Sequence, residues 1–184
     1  MKTSIIQWIA IALLSAPLPA TAGTIYTVNG HEYQVVLNSG ITWTAARAAA
    51  EASGWHLATL GTEGENDFIK ALLDATPGAP GVGNNFWLGG SDSDSEGAFR
   101  WIDGTPFSFT DWFGTEPNSY SGDGEDYLAM AQPNDNVWGW NDAPNDMGIY
   151  VLGYVVERVP EPATSGMLAL CLAGLALARR RGPA

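Results

Sequence analysis

Three groups of oxygen-bearing side chains stand out in the second half of the sequence: Glu116-Pro117-Asn118, Glu125-Asp126 and Trp140-Asn141-Asp142. Each lies on a separate, turn-prone segment, and aromatic residues between them supply bulk to fix the backbone. From Trp101 to Glu157 there is no Lys, Arg or His, whereas Asp103, Asp111, Glu116, Asp123, Glu125, Asp126, Asp135, Asp142, Asp146 and Glu157 all fall there. No protein cation is available locally to neutralise them. Two carboxylates held ~4 Å apart repel by about 4 kcal/mol at an effective dielectric near 20, so a fold that gathers several needs protonation or a bound cation. A solvated acidic face is the plain alternative, and the grouping on three segments favours a site. Hard carboxylate and amide oxygens suit calcium, which accepts roughly 6–8 of them in flexible geometry. Zinc fits poorly, because the lone thiol is Cys171 near the C-terminus and His31 and His56 are far from the cluster in sequence.

The 184 residues carry a net charge of −12. Away from the two ends the strong cations are Arg47, Lys70, Arg100 and Arg158, which argues against nucleic acid or anionic membrane surfaces as partners. An enzyme is not expected: the central region has no thiol and no His-based nucleophile arrangement. Paired acids for glycoside hydrolysis stay open as a reading, but a metal would occupy the same acids.

The elements that must position these groups begin after residue 22. Residues 1–22 read as a secretory signal, with Lys2 at the start, an apolar run over 5–14 and Ala20-Thr21-Ala22 as the cleavage site. The domain proper is expected over 23–158. It contains no cysteine, so no disulfide stiffens it although export would permit one. Residues 159–184 join Pro160-Glu161-Pro162, an apolar stretch over 167–178 and Arg179, Arg180 and Arg181. This order resembles the PEP-CTERM sorting tails of Gram-negative bacteria. The resemblance implies a transient partner, a membrane sorting enzyme of the exosortase type, with the apolar helix briefly in the inner membrane and the arginines cytoplasmic. The product then acts at the cell surface or outside the cell. A plain membrane anchor is the alternative, against which the stretch is shorter than the ~20 residues a span prefers.

Within 23–158, alternating residues on either side of Asn29-Gly30 predict a hairpin. Thr42 caps a helix carrying Trp43, Ala46, Ala49 and Ala50, with Gly54 past its end. Thr62 and Glu65 form a capping box for a second helix, whose apolar face is Phe68, Ile69, Leu72 and Leu73. Strand-like runs follow at 86–89, 98–102, 127–130, 137–140 and 152–158, giving an α+β class. Residues 104–126 form a long loop without periodicity. Loops of that length are usually functional or disordered, and Phe107, Phe109, Trp112, Phe113 and Tyr120 are more anchoring bulk than disorder carries.

Taken in order, Trp43-x-x-Ala46, Gly54-Trp55-His56-Leu57-Ala58, Glu65-Asn66-x-Phe68-Ile69, Trp87-Leu88-Gly89, Glu96-Gly97, Trp101, Asp103-Gly104-Thr105-Pro106 and Trp112 resemble the C-type lectins. So do Glu116-Pro117-Asn118, Glu125-Asp126, Trp140-Asn141-Asp142 and Tyr154-Val155-Val156-Glu157. The resemblance spans nearly the whole of 23–158. It implies a C-type-lectin-like fold, with two helices flanking small antiparallel sheets and a long calcium-binding loop. His56 is then a core residue. The principal calcium site, shared with carbohydrate, would be Glu116, Asn118, Glu125, Asn141 and Asp142, with Pro117 a cis proline. Glu-Pro-Asn is the form found in mannose-type members, where two neighbouring sugar hydroxyls complete the calcium shell. An auxiliary calcium site would use Asp92, Glu96 and Asp126, with Ser119 where an aspartate is usual. Ala50 and Val156 occupy one cysteine pair's positions, and Tyr127 and Asn145 those of the loop pair. The reading is an exported, calcium-dependent lectin of the mannose/glucose type whose partner is a glycan or exopolysaccharide. The alternative is a protein-interaction or structural surface domain in which calcium only orders the loop.

Overall fold

The computed structural model describes residues 24–119, 124–133 and 137–160. Strands β1 (Tyr26–Val28) and β2 (His31–Leu37) form the expected hairpin. Asn29 and Gly30 take φ of 51° and 85°, the paired positive values of a two-residue turn whose twist matches that of the strands.

Helix α1 (Trp43–Ala52) starts where the Thr42 hydroxyl accepts the amide of Ala45, and it ends at Ser53 before Gly54 at φ 78°. Helix α2 (Glu63–Ala75) carries the full capping box: Thr62 accepts from the Glu65 amide, and the Glu65 carboxylate accepts from the Thr62 amide. Both helices are short and half apolar, so packing holds them more than propensity does.

Between and after the helices lie β3 (His56–Leu57), β4 (Asn84–Ser91), β5 (Arg100–Trp101), β6 (Tyr127–Gln132), β7 (Gly139–Ala143) and β8 (Val151–Arg158). The strands make one connected sheet in the order β1-β2-β8-β4-β6-β7, with β3 paired to β8 and β5 to β4. This differs from the expected set of small antiparallel sheets. The C-terminal strand β8 pairs parallel with β4 and antiparallel with β2 and β3, so it joins the terminal hairpin to the rest.

Strand alternation sorts the core into two faces. Phe86 and Leu88 of β4 share one with Leu128 and Met130 of β6 and with Ile69, Leu72 and Leu73 of α2. Trp87, Ala129, Tyr154 and Val156 share the other with Trp43, Ala46 and Ala50 of α1. The two layers are clasped by indoles: Trp43 Nε1 donates to the carbonyl of Leu88 and Trp87 Nε1 to that of Ile41, both at 2.8 Å. Gly89 lets the β4 backbone lie against the β3 end, since a Cβ there would stand 2.6 Å from the carbonyl oxygen of Leu57. Among the described residues, no helix is long and apolar enough to cross a membrane.

Candidate functional site

Trp140 positions the site. Its ring is fully buried and meets Trp101, Phe107, Phe109 and Trp112 at centroid distances of 5.5, 5.8, 5.6 and 5.7 Å. Its amide donates to the carbonyl of Asp111, and its carbonyl accepts from Phe113, both at 2.8 Å. The long loop is thus bolted, through the aromatics, onto the strand whose next residues are Asn141 and Asp142. Those two lie in β7 and not on a turn, which corrects the expectation of three turn-prone segments; the ladder to Leu128 and Ala129 holds them.

On this frame the loop brings Glu116 and Asn118 to Asp142. The Glu116–Pro117 peptide is cis. The buried Asp142 carboxylate accepts from the Asn118 amide at 3.0 Å and from the Ser119 amide at 2.9 Å. Two backbone donors on one carboxylate fix its orientation. Glu116 is half-buried, and its Oε2 has no partner among the described residues. Burial pushes its carboxyl up to about 7, helped by the contact with and the charge of Asp142 and by the charge of Glu125, with an Asn118 hydrogen bond opposing. Glu125 therefore acts on the same spot. Asn141 is turned differently: its Nδ2 donates to the carbonyl of Asp142 at 2.7 Å, and its side chain lines a neighbouring hollow with Asn85, Gln132 and Tyr150.

A second acidic group adjoins the first. Asp92 is buried; its Oδ2 accepts from the Gly97 amide at 2.8 Å, while Oδ1 has no partner among the described residues. Burial raises its pKa, and the charges of Glu96 and Asp126 add to the rise. The Asp92 amide donates to the Asp126 carbonyl. The Ser119 hydroxyl donates to Glu96, tying this group to the loop that carries Glu116. Among the described residues, no three or more His, Cys, Asp and Glu side chains form a group that could hold a metal ion.

Not all the acids of 101–157 converge. The fold brings two of them partners from the first half of the chain, one of which is a cation, and this corrects the expectation that no protein cation neutralises them. Lys70 of α2 pairs with Asp111, and His31 of β2 meets Glu157. Glu157 is buried against the Thr59 amide at 2.8 Å and hydroxyl at 3.1 Å and the Tyr33 hydroxyl at 3.3 Å. It is part of the core. Neither pairing is visible in sequence, because the partners are separated by most of the fold. Asn66 was also missed as a positioning residue. Buried in α2, it accepts from Trp140 Nε1 at 2.9 Å and donates to Asp111 Oδ2 at 2.8 Å. Its place inside Glu65-Asn66-x-Phe68-Ile69 was the available signal.

The family model for the C-type lectin domain matches residues 39–149. The chain belongs to the C-type lectin domain family. The model of the PEP-CTERM protein-sorting motif also matches, over residues 158–181. Human C-type lectin domain family 4 member D is 32% identical over 110 residues, 59% of this chain and 46% of that protein; the chain thus spans under half of that relative. The carbohydrate-recognition domain of cow CD23, solved in the presence of a GlcNAc2Man3 oligosaccharide, superposes with a TM-score of 0.62 at 24% identity, covering 78% of this chain and 98% of that one. A calcium-independent type II antifreeze protein superposes with a TM-score of 0.59 at 24% identity, over 77% of this chain and 95% of its own. At these identities the structures show the fold.

Within the C-type lectin domain, the positions read as lost cysteines are filled by packing and hydrogen bonds. Ala50 and Val156 are buried in one cluster. Tyr127 lays its ring on Trp43 at 4.6 Å. Asn145 accepts the Trp43 amide on its carbonyl at 3.0 Å and the Thr44 amide on Oδ1 at 3.0 Å. Both members of the would-be loop pair hold the first turn of α1 instead. Residues 1–23, Glu161, Pro162 and Arg179, Arg180 and Arg181 lie outside the described residues, as do Tyr120, Asp123 and Asp135.

Proposed function

We propose that this C-type lectin domain binds carbohydrate of the mannose/glucose type through one calcium ion, without catalysis. The observation that carries the reading is the meeting of Glu116 and Asp142 carboxyls with Asn118, where the buried Glu116 Oε2 lacks a partner and Glu125 adds a further negative charge. A proton relieves that arrangement at low pH, and a cation relieves it at neutral pH. The donors are hard oxygens, which fit calcium; Glu116, Asn118, Glu125 and Asp142 would hold it, and Asn141 would join them only by turning its amide from the hollow it now lines. Bound calcium supplies open coordination positions for two neighbouring sugar hydroxyls. Glu116, ionised, accepts from one hydroxyl, and Asn118 presents NH₂ donors to the other, so the pair reads the direction of the hydroxyls. Asp142, locked by the Asn118 and Ser119 amides, holds the loop in register with β7. Asp92, Glu96 and Asp126 form the auxiliary calcium group, with Ser119 in place of a fourth carboxylate.

The matched sorting motif supports export, processing by a membrane enzyme of the exosortase type and action at the surface of a Gram-negative bacterium or in its exopolysaccharide matrix. The test of the sugar reading is retention on mannose resin in calcium, release by chelator, and a shift toward galactose resin in Glu116→Gln with Asn118→Asp. That exchange conserves charge and reverses the donor–acceptor order around Pro117, and each lost charge-assisted bond costs on the order of 1.5–3 kcal/mol. Calcium binding without retention on any glycan would leave calcium as an organiser of the loop alone.

A further inference from the structure

Among the described residues, the strong cations are Arg47, Lys70, Arg100 and Arg158. Two are committed: Lys70 to Asp111 and Arg158 to Glu32, with the Arg158 guanidinium also 4.3 Å from the ring centroid of Trp55. The other two line one hollow. It lies between the first turns of α1 and the β4–β5 edge, encloses about 390 Å³, and has Trp43, Tyr127, Ser91 and Ser93 around the arginines. That volume is in the roughly 300–1,000 Å³ range of small-ligand sites. The Arg100 side chain is exposed, with no ion pair or hydrogen bond among the described residues; Arg47 gives Nε to Glu51 at 2.8 Å, and its guanidinium carbon lies 5.7 Å from the Trp43 ring centroid. The Arg47–Glu51 pair is exposed and holds Arg47 weakly. Asp94 is the one acid in the lining, so two guanidinium groups gather at one hollow of a chain of net charge −12.

We propose that this hollow is a second, calcium-independent subsite for the acid group of an anionic sugar residue, a uronic carboxylate or a sulfate ester. The guanidinium forks of Arg47 and Arg100 can each take two oxygens of such a group bidentately, the coplanar pair of a carboxylate or two of the three terminal oxygens of a sulfate ester. The Ser91 and Ser93 hydroxyls lie where ring hydroxyls would, and Tyr127 walls the side. Ser91, Ser93 and Asp94 flank Asp92, and Tyr127 follows Asp126, so the subsite is continuous along the chain with the acidic groups of the calcium region. The surrounding field repels a dense polyanion. The ligand class is therefore a glycan with acid groups spaced farther apart than the ~8–10 Å screening length, so that one at a time meets the arginine pair.

The subsite rests on the reading that the domain takes glycans, and its test works without calcium so that the two can fail separately. The full chain in chelator is titrated with methyl glucuronide, glucose 6-sulfate and methyl glucoside, following backbone and Arg Nε–H resonances. Either anion binds and the neutral glucoside does not; the stronger anion identifies the acid group. Arg47→Ala and Arg100→Ala each weaken binding about tenfold or more, Asp94→Asn strengthens it, and Arg158→Ala, which removes the same charge elsewhere, leaves it unchanged. Retention on mannose resin in calcium persists in the Arg47 and Arg100 variants. Binding of neither anion, equal binding of the glucoside, wild-type affinity in both arginine variants, or an equal loss in Arg158→Ala overturns the subsite.

Discussion

At the scale of single residues, Glu116 couples the site to pH. Its carboxyl titrates at about 7 in the fold against 4.5 ordinarily, so between those values the folded chain keeps a proton that the unfolded chain has lost. Stability from this group is complete below about pH 4.5 and is lost as pH rises to about 7. Calcium must displace that proton, so calcium affinity weakens as pH falls below 7. Melting in chelator at pH 5 and pH 8 checks the first statement. Wild type should lose more stability between the two than Glu116→Gln, while Asp92, whose pKa is also raised, leaves a residual pH dependence in both. Identical pH dependence in the two proteins would show that Glu116 carries no displaced titration. The grouping Glu116-Pro117-Asn118 with Asp142 was legible in sequence because a motif announces it. That Glu125 acts through its charge, and that Asn141 faces a different hollow, was not, because side-chain direction is set by strand register and loop path.

At the scale of elements, the two helices and the hairpin were readable because caps and turns are local chemistry: Thr42, Thr62 with Glu65, and Asn29-Gly30 each act within a few residues. The strands were read less well. The run at 137–140 proved to be Gly139–Ala143, and β3 at His56–Leu57 was missed, because a two-residue strand exists only through its pairing with β8. The link from α2 to the loop is of the same long-range kind. Asn66 joins Trp140 to Asp111, and Lys70 sits beside it. Replacing Asn66 with Ala strands a buried indole N–H and weakens the hold on Asp111, at a cost of about 2–4 kcal/mol. The urea midpoint should fall with little change in slope. Calcium affinity should fall as well, since the Asp111 carbonyl and the Trp140 ring set the path into Asn141 and Asp142. An unchanged midpoint would mean that the aromatic contacts alone fasten the loop.

At the scale of the whole molecule, the described residues form one connected sheet with α1 on one face and α2 with the loop aromatics on the other, in a chain that carries far more acid than base. The sorting-motif match at 158–181, together with the secretory signal expected over 1–22, gives one prediction at this scale: protein recovered from its native host lacks both the first residues and the tail, by intact mass, and a form still ending at Ala184 would make the tail an anchor. The second concerns the charge itself. With a net charge of −12, any salt relieves self-repulsion, so stabilisation by calcium is informative only against ionic strength matched with sodium chloride. A specific ion that binds the folded chain alone adds about 2.7 kcal/mol at a hundredfold excess over its dissociation constant, and extracellular modules bind calcium at roughly 10⁻⁴–10⁻³ M. Melting temperature should therefore climb through the millimolar calcium range, return with chelator, and barely respond to matched sodium chloride. Glu116→Gln discriminates further: it lowers the negative charge, which would help a chain that merely needs screening, but it removes an ionised calcium oxygen. The variant should start more stable than wild type in chelator at pH 8 and gain less from calcium. Equal gains from calcium and sodium chloride, or an undiminished gain in the variant, would mean that the ion screens the acidic surface without occupying a site at Glu116.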